Sequence, residues 1–112
     1  MALYPLDIDV QAVKKLRDEQ ESFLFLDCRE PDEVAAAKIE GTTHIPMREI
    51  PARLAELKPH QEGRIIVHCH HGGRSLRVTQ FLRQQGFDKA QNLAGGIDAW
   101  SVEIDPTIPR YQ

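Results

Sequence analysis

The sequence lacks the features that would send a chain into a membrane, onto nucleic acid or into a disulfide scaffold. No apolar run approaches the roughly 20 residues needed to span a bilayer, and the start Met1-Ala2-Leu3-Tyr4-Pro5 has no basic-then-apolar layout of a secretory leader. A cationic excess is missing too. Against 14 Lys and Arg stand 17 Asp and Glu, for a formal net charge of -3, so no broad basic face serves nucleic acid or anionic lipid, and any anion must be met locally. Cysteine is scarce: Cys28 and Cys69 alone make no disulfide framework. Repeats and low-complexity linkers are absent. What remains is a soluble chain, expected in the cytoplasm, whose 112 residues and 41% hydrophobic content suit one domain over residues 1–112.

Short apolar runs alternate with helical patterns along the whole chain, which predicts an α/β domain with a parallel sheet. After an apolar start at Leu6 to Ile8, Asp9 caps a helix whose Val10, Val13 and Leu16 share a face, and Phe23 to Leu26 reads as a buried strand. A short helix is expected over 31–38, with Pro31 in its first turn, Asp32 and Glu33 at its positive end and Lys38 at its far end. Thr43 to Ile45 is extended before Pro46, and Pro51 opens a further predicted helix running through Leu57, closed by Lys58-Pro59. Ile65 to His68 is the next strand. Ser75 to Gln85 reads as the longest helix, with Val78, Phe81 and Leu82 inward, Arg77 and Arg83 in solvent and Gly86 as its stop. Ala90 to Leu93 gives the last strand, Gly95-Gly96 turns the chain into a short helix carrying Trp100, and an extended tail follows over 105–112.

Between the strand ending at His68 and the helix after it lies Cys69-His70-His71-Gly72-Gly73-Arg74-Ser75. A cysteine at a strand-to-helix turn meets free backbone N–H groups and the positive end of the helix dipole, and both favour the thiolate. The thiolate is the reactive form. The two glycines let the loop curl with its N–H groups inward, so Cys69 is the candidate nucleophile and His70, His71, Gly72, Gly73, Arg74 and Ser75 the candidate anion-binding loop. Arg74 supplies either an anion clamp or a brace for the loop. Ser75 caps the helix or donates its hydroxyl into the pocket.

Three motifs in this order resemble the rhodanese family of sulfurtransferases over essentially the whole chain. Asp27-Cys28-Arg29-Glu30 is similar to the family's Asp-x-Arg segment, Cys69 to Ser75 to its active-site loop, and Leu93-Ala94-Gly95-Gly96-Ile97-Asp98-Ala99-Trp100 to its closing Leu-x-Gly-Gly-x-x-Ala-Trp element. Where the family commonly carries Gly-His-Ile before a Gly-Ala step, this chain reads Ala37-Lys38-Ile39-Glu40-Gly41-Thr42, which alters the surface near the pocket. The resemblance implies a three-layer α/β/α fold around a mostly parallel five-stranded sheet. It also implies an activity: Cys69 accepts sulfane sulfur from a donor such as thiosulfate or a persulfide, becomes a persulfide itself, and passes the sulfur to a thiophilic acceptor. The chain's end is similar to rhodanese modules found with sulfur-carrier activating enzymes, which points to a ubiquitin-like sulfur-carrier protein as a partner. Asp27 and Arg29 are the candidates for supporting the loop, because their strand should end beside it.

Other chemistries compete. A cysteine-dependent phosphatase or arsenate reductase uses the same anion pocket, but rhodanese-like phosphatases carry one more residue between cysteine and arginine than the four found here. A binding or regulatory module would keep the fold without the thiol, which is present. His68, Cys69, His70 and His71 are all metal-ligating types, yet neighbours on a strand face opposite ways, so no metal and no cofactor is expected and the run reads as one buried and two loop histidines. Cys28 is expected as a small buried filler, with a resolving thiol for Cys69 as the sharper alternative.

Overall fold

The computed structural model describes residues 4–112; the opening Met1-Ala2-Leu3, part of the start read above as no secretory leader, lies outside them. Five short strands make one sheet: β1 (Asp7–Ile8), β2 (Leu24–Asp27), β3 (Thr43–His44), β4 (Ile65–His68) and β5 (Ala90–Leu93). Their order is β1-β5-β4-β2-β3 and every neighbouring pair is parallel. Side chains alternate between the two faces. Leu26, Ile65 and Val67 join Val78, Leu82 and Phe87 on one side, while Phe25, Ile66 and Leu93 join Val10, Val13, Ile97 and Trp100 on the other. Burial on both faces explains why β2 and β4 read as apolar runs rather than alternating ones. Each fully buried Leu or Ile contributes about 1.5–3 kcal/mol of transfer free energy to that core.

Helices α1 (Val10–Asp18) and α4 (Gly96–Glu103) cover one face, and α3 (Gly73–Gln84) covers the other. Asp9 caps α1 as expected, its carboxylate accepting the Ala12 N–H at 2.8 Å. The other short helix, α2 (Pro31–Ala36), is held by a reciprocal Glu30–Glu33 capping box and stops two residues before the expected end. Ala37 is extended (φ -159°) because its carbonyl is taken by the Arg29 guanidinium at 2.8 Å. Lys38 therefore sits beyond the helix. The helix expected over Pro51 to Leu57 does not form. In its place stand 3-10 turns at Met47–Glu49, Leu54–Glu56 and Lys58–His60. Pro51 and Pro59 remove backbone donors, and the segment settles for i→i+3 bonds such as Leu57 N–H to Leu54 carbonyl at 2.9 Å. Arg83 also departs from expectation. Instead of facing solvent it donates to the Ala90 carbonyl at 2.8 Å and the Tyr4 carbonyl at 2.8 Å, clamping the chain's start against β5.

Paired positions put the strand ends together. Asp27 lies opposite His68, and Val67 opposite Asn92, so β2, β4 and β5 release Cys28-Arg29, Cys69 and Ala94-Gly95 at a single edge of the sheet. Ligand sites of open parallel sheets gather at that carboxyl edge.

Candidate active site

Cys69 follows the last residue of β4 and is 1% exposed. The chain after it turns at Gly72, whose φ of 111° lies in the left-handed region that favours glycine, and enters α3 at Gly73. The helix thus begins two residues before Ser75, which is not its cap but a residue of its first turn. That placement aims Ser75 at the thiol. Cys69 Sγ accepts the Gly72 N–H at 3.1 Å, the Ser75 N–H at 3.4 Å and approaches the Ser75 hydroxyl at 3.3 Å. The same hydroxyl lies 2.5 Å from Asn92 Oδ1, and having one proton it serves one acceptor at a time. Burial pushes the Cys69 thiol up, but the Ser75 hydroxyl and the N–H groups of Ser75, Gly72 and Arg74 outweigh it, leaving the thiol below its ordinary value.

The loop rests on α4. The Cys69 carbonyl accepts the Ile97 N–H at 2.9 Å, and the His70 carbonyl accepts the Asp98 N–H at 3.1 Å. Only glycine permits this approach. Gly96 has φ 60°, and a Cβ there would meet the carbonyl oxygens of Cys69 and His70 at 2.5 Å. The closing glycine pair and the reactive loop, 26 residues apart in sequence from Cys69 to Gly95, are parts of one structure joined by the opposed helix start.

Arg74 points away from a clamp role. Its guanidinium is paired fork to fork with Glu33, at 2.6 and 2.8 Å. That bond, above all, pulls the Glu33 carboxyl down to about 2. Glu33 also accepts the Glu30 N–H at 3.1 Å and the Tyr111 hydroxyl at 2.8 Å, so four donors converge on one carboxylate. Asp27 and Arg29 do end beside the loop, but they reach it indirectly. They form a fully buried bidentate pair at 2.9 and 2.7 Å, and Arg29 continues to the Glu33 carbonyl at 3.2 Å and the Tyr111 hydroxyl at 3.0 Å. Glu33 and Tyr111 were not singled out by the sequence reading. Glu33 was visible only as a charge suited to a helix start, and Tyr111 sits in a tail whose docking depends on Ser101 Oγ donating to the Ile108 carbonyl at 2.6 Å.

The three histidines divide as expected. His68 is fully buried, His70 half-buried and His71 exposed. Burial drives His68 down to about 4, despite the opposing pull of Asp27, whose Oδ2 lies 3.7 Å from Nε2. His70 is sandwiched between His71, at 3.9 Å, and Tyr111, at 4.0 Å and 12°. Burial, and then His71 beside it, keep His70 below its ordinary value. His70, His71 and Asp98 bring potential metal-ligating atoms within 4.8 Å of one another. The two imidazoles lie face to face at 28°, so their in-plane lone pairs run side by side, and both Asp98 oxygens are engaged by Arg110 at 2.9 and 3.1 Å.

Cys28 is fully buried, its thiol donating to the His68 carbonyl at 3.4 Å. Burial, with the Cys69 and Asp27 charges adding to it, pushes this thiol strongly upward. Cys28 and Cys69, each one residue past the end of neighbouring strands, are both free, the Cys69 thiol shifted downward and the Cys28 thiol upward.

A model of the rhodanese-like domain matches residues 9–103. Among curated proteins, the chain is 37% identical over 109 residues to the Zea mays protein named adenylyltransferase and sulfurtransferase MOCS3-1, covering 93% of this chain and 23% of that one. It is 33% identical over 102 residues to a protein of Allochromatium vinosum named sulfurtransferase, covering 91% and 94%. Among solved structures, the human single-domain sulfurtransferase TSTD1 superposes with a TM-score of 0.77 at 27% identity, covering 88% and 97%. The chain spans about a quarter of the maize relative and nearly all of the bacterial one. With the family model spanning the eight strands and helices from α1 through α4 and both glycine-rich turns, the chain belongs to the family of rhodanese-like domains.

Proposed function

We propose that this protein is a sulfurtransferase in which the Cys69 thiolate takes a sulfane sulfur from a donor such as thiosulfate or a persulfide and passes it to a thiophilic acceptor. The observation that carries the proposal is the buried Cys69 sulfur receiving two N–H groups and facing a hydroxyl at the start of α3. The thiolate attacks the outer sulfur of the donor, the donor's S–S bond breaks, and its electron pair leaves with the remaining fragment. Cys69 then carries a persulfide whose charge can draw on the same preorganised donors. The relatives named as sulfurtransferases support this reading. The maize relative's name, joining adenylyltransferase to sulfurtransferase, favours a protein acceptor such as a ubiquitin-like sulfur carrier. A reducing compartment such as the cytoplasm suits two free thiols, and no helix among the described residues is long and apolar enough to cross a membrane.

The test is a mass measurement. Exposure to a sulfane sulfur donor is expected to add about 32 Da to the protein, removable by dithiothreitol and absent in Cys69→Ala. Cys69→Ala is expected to melt as a folded domain with sulfur transfer abolished. Transfer persisting in that variant removes Cys69 from the mechanism, and no mass gain in the unaltered protein favours a binding module.

A further inference from the structure

The guanidinium groups around the Cys69 loop are already matched by carboxylates. Arg74, the one charged side chain of the loop, is held by Glu33 at 2.6 and 2.8 Å. Arg29 is spent on Asp27 at 2.9 and 2.7 Å in full burial, and Arg110 on Asp98 at 2.9 and 3.1 Å. A depression of about 550 Å³ opens beside the loop, lined by His70, His71, Asp98, Arg110, Tyr111 and Gln112. Its aromatic wall is the His71–His70–Tyr111 stack. The surface beside the Cys69 loop therefore presents aromatic faces and closed ion pairs, with no guanidinium free of a carboxylate among Arg29, Arg74 and Arg110.

We infer that Glu33 sets the donor specificity of this site by neutralising Arg74, so that the protein takes sulfur from persulfides of low charge in preference to dianionic thiosulfate. The inference rests on the sulfur-transfer reading and narrows its substrate class. Chemically both donors are competent. With R–S–SH, the Cys69 thiolate attacks the terminal sulfur, a new S–S bond forms at Cys69, and R–S⁻ departs with the electron pair. With thiosulfate the leaving fragment is sulfite, which carries two negative charges out of the pocket. A thiolate and a dianion repel one another, and unpaired positive charge at the mouth would offset that repulsion beyond what the backbone N–H groups supply. Here Glu33 has removed it. The persulfide needs no such offset, because its terminal sulfur is met by the N–H groups that already hold the thiolate.

The experiment compares cysteine persulfide and thiosulfate as donors, reading the mass gain on Cys69 and the sulfur-transfer kinetics. In the unaltered protein kcat/KM for the persulfide is expected to exceed that for thiosulfate by about 100-fold or more, within the range that local fields impose on charged ligands. Glu33→Gln keeps the shape of the side chain and frees Arg74. It is expected to raise kcat/KM for thiosulfate about tenfold, mainly through a lower KM, and to leave the persulfide value within about threefold. His71→Arg, at an exposed position, adds a cation by another route and is expected to shift the same ratio in the same direction, with thermal melting confirming that the variant folds. A purely structural Glu33 would instead lower both donors together. Equal use of the two donors by the unaltered protein, or an unchanged donor ratio in both variants, overturns the inference while leaving the Cys69 mechanism standing. Absence of the mass gain with either donor overturns the mechanism itself, and the inference with it.

Discussion

Three consecutive residues, His68, Cys69 and His70, share a chemistry of soft ligands and proton carriers, and their surroundings give each a different state. His68 illustrates how far burial can push a side chain from its ordinary behaviour. Its Nε2 finds no hydrogen-bond partner among the described residues, and its ring packs edge-on to Phe25 at 5.3 Å. The folded protein holds it neutral down to about pH 4, whereas the unfolded chain protonates it near 6.5. Because the unfolded state binds the extra proton between those values, the contribution to stability is full above about pH 6.5 and is lost as pH falls towards 4. Urea unfolding at pH 7.5 and pH 5 is expected to show about 2 kcal/mol more loss in the unaltered protein than in His68→Phe. Identical pH slopes in the two proteins would mean that His68 titrates normally. Cys28 and Cys69 differ by the same logic in reverse. Both are buried, but only Cys69 faces the N–H groups of a helix start.

Helix starts do most of the positioning at the scale of elements. α3 supplies N–H groups to the sulfur, and α4 supplies them to the carbonyls of Cys69 and His70, so the loop is fixed from both sides. The glycines at these two starts are not equivalent. A Cβ on Gly96 would lie 2.5 Å from two loop carbonyl oxygens at a φ of 60°, while one on Gly73 would meet nothing within 4 Å. Gly96→Ala is expected to destabilise the fold by about 3 kcal/mol, since neither backbone oxygen can give way without dismantling the loop. Gly73→Ala is expected to stay within about 1 kcal/mol of the parent. Thermal or urea unfolding of the pair checks the contrast, and equal melting points would show that the loop yields to a methyl group at Gly96.

Across the whole molecule, one buried pair ties together segments far apart in sequence. Arg29 and Asp27 are both fully buried, and Arg29 also holds α2 through the Glu33 and Ala37 carbonyls and the chain's end through Tyr111. Burial alone would push Asp27 up, but the Arg29 guanidinium keeps its carboxyl below the usual range. Removing one partner strands the other charge in the core. Arg29→Ala is expected to cost about 3–5 kcal/mol, a large fraction of the roughly 5–15 kcal/mol available to a domain of this size. The double change Asp27→Asn with Arg29→Met is expected to recover part of that loss, because no unpaired charge remains. Melting temperatures of the single and double variants decide it; a double variant no more stable than Arg29→Ala would assign the loss to the carbonyl and Tyr111 contacts instead.

Much of this protein was legible from local order along the chain. Apolar runs at Phe23 to Leu26 and Ile65 to His68 announced strands buried on both faces, and the cysteine at the β4-to-α3 turn announced a sulfur facing backbone donors, because propensity, capping and backbone donors act within a few residues. The glycine pair before Trp100 was visible as a turn, though not as the seat of the reactive loop. Where local signals competed, the sequence reading went astray: prolines at 51 and 59 reduced an expected helix to 3-10 turns, and tertiary bonds recruited Arg83 and shortened α2. The fate of Arg74 was decided by tertiary structure alone. Arg74 stands 41 residues from Glu33, and Tyr111 stands 78 from it. No periodicity or spacing encodes such pairings, since they arise only when the parallel sheet draws the ends of β2 and β4, and the chain's tail, to the same edge. The sequence marked Cys69, at the turn from β4 into α3, as the thiol its surroundings would activate, because backbone donors act locally; the tertiary structure decided that the neighbouring Arg74 is paired with Glu33.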